Sequence, residues 1–240
     1  MNKSILWFIL LLFIFSNIEA QILTDRPDQT ESAATVPGGS LQVESGLFLG
    51  YEEYTNPSAR ILLLPTNLFR YGLADIIEIR LVSQFLSLKV EDETYQGIDD
   101  LQIGTKIRLL GGSDRNTQIA FLTHLLVPTG TNGVSIENFG TINKLSISHT
   151  LTENMGLGYN VGYDYFGFGK GIIVYSLSLG IGINERLAIF LEPYGNVPDL
   201  EEFILNFDTG FTFLANDNLQ FDFLFGTGIT HRMNFMSIGC

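Results

Sequence analysis

The residues of this chain best able to do chemistry are charged and amide side chains set two apart within apolar segments. Glu78 and Arg80, Asp100 and Gln102, Lys106 and Arg108, and Asn206 and Asp208 form such pairs. Glu44, Gln84, Lys144, Asn160, Asp164, Glu192 and Asp222 stand singly in similar surroundings. Side chains two apart in a strand share one face. Groups of both signs on one face can pair with each other or replace part of a small solute's hydration shell. Covalent chemistry has less support, because a nucleophile needs a base within hydrogen-bond reach and a third group orienting that base. His149 adjoins Ser148, but adjacent strand residues point to opposite faces. His124 lies among Leu122, Leu125 and Leu126, and His231 stands beside Arg232. The acidic runs Glu91-Asp92-Glu93 and Asp199-Leu200-Glu201-Glu202 lack the Asp/Asn/Gly spacing of a calcium loop. No enzyme, metal or cofactor is therefore expected.

The elements that must position these groups are strands. Phe203, Leu205, Phe207, Phe211 and Phe213 interleave with Asn206, Asp208, Gly210 and Thr212. Leu219, Phe221, Phe223 and Phe225 then interleave with Gln220, Asp222 and Gly226. Leu47, Leu49, Ile79, Leu81, Ile103, Ile107, Phe121, Leu125, Ile147, Tyr175 and Leu177 belong to the same apolar face. Strands are expected over 40–54, 60–72, 76–88, 98–110, 117–128, 138–150, 154–166, 171–183, 187–195, 202–214 and 218–230, with a short last one over 234–240. A soluble sandwich would use the apolar face as its core. These segments, however, reach the roughly 9–11 residues that a tilted strand needs to cross a bilayer. Short connections near 74–75, 111–116, 152–154, 184–186 and 215–218 alternate with connections at 55–59, 89–97, 129–137, 167–170, 196–201 and 231–233. An outer-membrane barrel has that alternation and an even strand number. The expectation is all-β: a single transmembrane, antiparallel, up-and-down barrel of about twelve strands with a polar lumen.

Lys3, the apolar run Ile5 to Phe15 and Ile18-Glu19-Ala20 have the form of a secretory signal, so residues 1–20 are set apart as a cleaved leader. Residues 21–39 are polar and without period, and are read as a periplasmic N-terminal segment. Residues 40–240 make one barrel domain, placed in the bacterial outer membrane. Net charge is −13, which argues against a nucleic-acid partner. One cysteine excludes an internal disulfide framework. The chain stops at Ile238-Gly239-Cys240, without the terminal aromatic residue usual in such barrels. Either closure rests on these few residues or the final strand is truncated, and truncation is the expectation.

If the hairpin across 89–97 is symmetric about Glu93, Glu78 faces Arg108 and Arg80 faces Lys106. Directly opposite residues are about 4.5–5.5 Å apart at Cβ, so two cations there need a nearby anion. Asp25, Asp28 or Glu31 of the N-terminal segment, with Arg26 beside them, could fold back as a plug; Glu78, Asp100 and water are the alternative. Gly156, Gly158, Gly162, Ser176, Ser178, Gly180 and Gly182 leave the lumen open to two readings: space for solute or plug, or relief of curvature.

Several runs carry a family resemblance: Thr24-Asp25-Arg26-Pro27-Asp28-Gln29-Thr30-Glu31-Ser32, Thr35-Val36-Pro37, Gln42-Val43-Glu44-Ser45-Gly46, Phe69-Arg70-Tyr71-Gly72-Leu73, Ile103-Gly104-Thr105-Lys106 and Leu126-Val127-Pro128-Thr129-Gly130. Together they resemble the bacterial outer-membrane family named for the MetA pathway of phenol degradation. The resemblance implies a transporter-like, porin-like barrel that passes small molecules, aromatic compounds among them, and brings no catalytic residue with it. Its partners would be outer-membrane lipid and a small solute. A non-conducting structural or surface-interaction barrel is the second expectation, and a lipid-modifying enzyme the third.

Overall fold

The computed structural model describes residues 22–26, 29–53, 57–112 and 115–240. Residues 1–20, expected to be a leader, and Asp28 lie outside the described residues. The strands are β1 (Leu41–Glu52), β2 (Ala59–Ala74), β3 (Ile77–Val90), β4 (Glu93–Ile98), β5 (Leu101–Leu110), β6 (Thr117–Val127), β7 (Gly140–Thr152), β8 (Met155–Tyr165), β9 (Ile172–Gly182), β10 (Leu187–Pro198), β11 (Ile204–Asn216), β12 (Leu219–Gly228) and β13 (Met233–Gly239). Each pairs antiparallel with its neighbours, and β4 and β5 occupy successive lengths of β3's edge, interrupted at Asp99-Asp100. The wall is thus a twelve-stranded, all-β antiparallel barrel.

Closure falls to the short last strand. β13 pairs with β12 on one side and β1 on the other, Gly239 lying opposite both Asp222 and Gly46. Ser45 and Cys240 exchange backbone hydrogen bonds of 2.8 and 2.9 Å. Closure matters because an unpaired backbone group in hydrocarbon costs several kcal/mol.

The distribution of side chains is that of a soluble protein turned inside out. Among the outward residues, Leu177 is 42% exposed, Phe211 41% and Phe225 49%. Glu78, Lys106, Glu192 and Asp208 are 0% exposed. Apolar strips of this kind run along strand after strand, and soluble monomers rarely expose contiguous apolar patches beyond a few hundred Å². A wall greasy outside and polar inside is stable where hydrocarbon surrounds it.

One expected connection is different. The 89–97 span is not a loop: Val90 pairs with Glu93, leaving a two-residue turn of Glu91 and Asp92, with Glu91 at φ 53°. The hairpin axis therefore lies ahead of Glu93. Glu78 faces Lys106 and Arg80 faces Gly104, in place of the expected Glu78–Arg108 and Arg80–Lys106 oppositions. In β2, residues 64–65 form a bulge against both neighbours. Pro65, having no N–H to give the ladder, is suited to that place.

Candidate functional site

The inward faces of β1, β2, β3 and β5 bring Glu44, Arg70, Glu78, Arg80 and Lys106 together, all at most 1% exposed. Arg70 and Arg80 are directly opposite on β2 and β3. Two buried guanidinium groups so close require anions, and the N-terminal segment supplies two. Asp25 Oδ2 lies 2.6 Å from Lys106 Nζ, 3.4 Å from Arg70 Nη1, and in contact with Arg80 Nη1. Glu31 adds a contact of 2.8 Å to Arg80. From the wall, Glu78 takes Arg70 Nε at 3.0 Å and Arg80 Nη1 at 2.8 Å, and Glu44 takes Arg70 Nη1 at 3.0 Å. Burial alone would raise the Asp25 carboxyl, but the surrounding Arg70, Lys106 and Arg80 hold it well below the usual carboxylate range.

The segment is also held by its backbone. The N–H groups of Asp25 and Arg26 donate to Glu44, each with a 3.0 Å contact, that of Gln29 to Glu192 at 2.7 Å, and that of Val36 to Glu78 at 2.8 Å. Asn160 accepts from Glu31 N at 2.7 Å and donates to Glu31 O at 3.0 Å. A polar segment without secondary structure must satisfy its backbone somewhere once buried, and wall carboxylates and amides do so here. Asp25 Oδ1 accepts from both N and Oγ of Ser32, at 2.9 and 2.8 Å, folding the segment on itself. Arg26 reaches across to Thr66 and Ser237, at 2.9 and 2.7 Å, and to Asp222 at 3.5 Å. Thr30 donates to Glu192 and contacts Ser176 Oγ at 2.7 Å. Gly158 makes room for it, since a Cβ there would stand 3.2 Å from Thr30 Cγ2.

The remaining sequence-selected residues lie elsewhere. Asp100 serves the 128–139 connection, accepting from Gly130 N, Ser135 Oγ and Ile136 N at 2.9, 2.7 and 2.9 Å. Gln84 donates to Asp99 at 2.7 Å. Gln102 meets His124 Nδ1 at 3.2 Å, while His124 Nε2 accepts from Arg80 Nε at 3.0 Å. Lys144 and the buried Asp164 share the β7–β8 wall, and Asn206 and Asp208 are buried on β11. Arg108, half-buried on β5, stands outside the cluster. Arg70 is the central residue that sequence reasoning left out of the lumen. It was legible, because Thr66, Leu68, Arg70 and Gly72 alternate as the other inward sets do.

Above the segment the lumen continues as a cavity of about 350 Å³ with two kinds of wall. Gln84, Gln102, His124 and Lys144 line one part, and Phe48, Leu63, Leu68 and Leu224 another. Phe48 stacks on Phe235 with ring centroids 5.3 Å apart, and Tyr194 meets Phe235 edge-on at 6.3 Å.

The family described as "Putative MetA-pathway of phenol degradation" matches residues 24–233, which include both the anchoring segment and nearly all of the wall. The chain belongs to that family. Solved structures agree in fold with this family member. An outer membrane channel from Pseudomonas putida F1 superposes with a TM-score of 0.69 at 12% identity, over 89% of this chain and 99% of that one. The KdgM porin in complex with oligogalacturonate gives 0.56 at 9% identity, over 82% and 96%. The Ralstonia pickettii toluene transporter TbuX gives 0.51 at 9% identity, over 88% and 91%. These three are an outer membrane channel, a porin and a transporter. No protein of curated function matches the chain.

Proposed function

We propose that this barrel is a passive outer-membrane channel for small amphipathic solutes, with residues 21–39 as a plug entering from the periplasmic side. One observation carries the plug: Asp25 is the shared counter-ion of Arg70, Arg80 and Lys106. A group so placed makes docking of the segment a condition of charge balance in the lumen. The aromatic and aliphatic strip facing amides and Lys144 suits a solute with one apolar face and one polar group, small aromatic compounds among them. TbuX, a toluene transporter, shares the barrel, which supports that class.

Catalysis has little support. His124 has both ring nitrogens engaged by Arg80 and Gln102, and His149 meets Thr117 Oγ1 and Tyr159 OH at 2.9 and 3.1 Å, without a serine. A non-conducting barrel is the second reading, favoured by the anchoring of the segment to β1, β3, β8 and β10 at once.

Single-channel conductance of the refolded barrel, with and without residues 21–39, tests the proposal. Small or rare openings that grow on removal of the segment are expected. Silence from both forms, each shown to be folded and inserted, would overturn the channel and leave the non-conducting barrel.

A further inference from the structure

We propose that the lipid-facing wall of β1–β3, at the rim opposite the N-terminal segment, binds the phosphate of a phosphorylated glycolipid of the outer leaflet. Arg60 lies directly opposite Lys89 in the β2–β3 ladder and directly opposite Tyr51 in the β1–β2 ladder. These three residues form a row across adjacent strands. The next outward row is Leu49, Leu62 and Ser87, again in register. Together they line a shallow depression of about 540 Å³. Tyr51 and Leu49 are exposed, as are Arg60 and Lys89.

Like charges directly opposite across strands destabilise a sheet. Elsewhere in this molecule such pairs are compensated: Arg70 and Arg80 have four carboxylates around them, Asp25, Glu31, Glu44 and Glu78. Arg60 and Lys89 do not, since among the described residues neither has a carboxylate within ion-pair distance. Of the acids near this row, Glu52, Glu53 and Glu91, none pairs with Arg60 or Lys89; Glu53 pairs instead with Arg232 at 3.3 Å and accepts from Tyr51 OH at 3.0 Å. Glu93 accepts from Tyr95 OH. The Arg60 guanidinium carbon stands 6.0 Å from the Tyr51 ring centroid, which gives it a fixed resting place rather than a counter-charge. A phosphate set between the two cations would supply that charge through charge-assisted hydrogen bonds. The attached acyl chains would run down over Leu49 and Leu62, as they run over the rest of the wall.

A net charge of −13 opposes any general attraction to anionic lipid, so the binding must be local and phosphate-dependent. The outer leaflet is assigned on the reading given above, in which the segment enters from the periplasm.

The test is native mass spectrometry of the full-length barrel in detergent micelles, offered diphosphorylated lipid A, its dephosphorylated counterpart, or phosphatidylglycerol. Retention of the diphosphorylated lipid is expected, with affinity weaker by roughly tenfold or more in R60Q/K89Q and wild-type affinity in R60K/K89R. Equal retention of the dephosphorylated lipid, undiminished binding by R60Q/K89Q, or preference for phosphatidylglycerol would each overturn the proposal. Folding of each variant is read from heat-modifiable gel mobility, and if R60Q/K89Q does not fold, the single Lys89→Gln change at an exposed position carries the comparison. Micelle binding does not depend on sidedness, which protease access to the 128–139 connection on whole cells reads separately.

Discussion

Asp25 concentrates the electrostatics of the lumen in one carboxylate. Breaking a buried ion pair by removing one partner costs about 3–5 kcal/mol, because the remaining charge stays buried and uncompensated. In this lumen there is a cheaper outcome, in which the segment leaves and water reaches Arg70, Arg80 and Lys106. Asp25→Asn is therefore expected to raise single-channel conductance toward that of the barrel lacking residues 21–39, while gel mobility still reports a folded wall. An unchanged conductance would sink the anchoring role. The sign of the pH effect follows from the lowered Asp25 carboxyl. Its contribution to docking is complete above about pH 3.9, the value of a free aspartate, and is lost only as pH falls through the lower docked value. Conductance should accordingly hold steady from pH 7 to about 5 and rise only in stronger acid. Asp25→Asn should lack that rise.

At the scale of elements, what could be read from the chain depended on whether a segment has a period. Most of each strand alternates, so residues such as Glu192 and Asp222, both buried, could be assigned to the inner face from the chain alone, while the bulge at 64–65 shifts the alternation within β2. The 89–97 hairpin was misplaced because its turn, Glu91-Asp92, carries none of the Asn-Gly or Asp-Gly chemistry that marks a two-residue turn. Its left-handed Glu91 is visible only in three dimensions. The path of residues 22–36 was illegible for another reason: the segment has no period, and much of its anchoring runs from backbone N–H groups to wall side chains. Two elements can be tested separately. Gly158→Leu should push Thr30 off its seat on Ser176 and Glu192, leaving residues 22–36 open to protease while the strands stay intact. Asp100→Ala removes three hydrogen bonds from the 128–139 connection, each worth about 0.5–1.5 kcal/mol net and more where a charged group accepts. That connection should become protease-sensitive with little change in conductance, because Asp100 holds the rim and not the segment. Cleavage of both variants at the wild-type rate would show that these contacts do not restrain either element.

The whole molecule is stable only if hydrocarbon covers its outer face, and that requirement separates a membrane barrel from a soluble sandwich more sharply than any contact in the lumen. Leu177 stands near the middle of β9, facing outward and 42% exposed, while Ser176 beside it faces inward with its Oγ in contact with the Thr30 hydroxyl. An arginine at the midplane of a membrane barrel's lipid face costs about 2–4 kcal/mol. The same change on a water-facing surface position usually stays within about 0.5 kcal/mol. Leu177→Arg is expected to lower unfolding stability by the larger amount when the barrel is titrated with denaturant in lipid vesicles. Leu73→Arg, close to the end of β2 and 61% exposed, should cost much less, since arginine near the interface can reach the headgroups. If the two changes cost the same, the outer face is not graded by membrane depth, and the reading of these apolar strips as a lipid-facing wall fails.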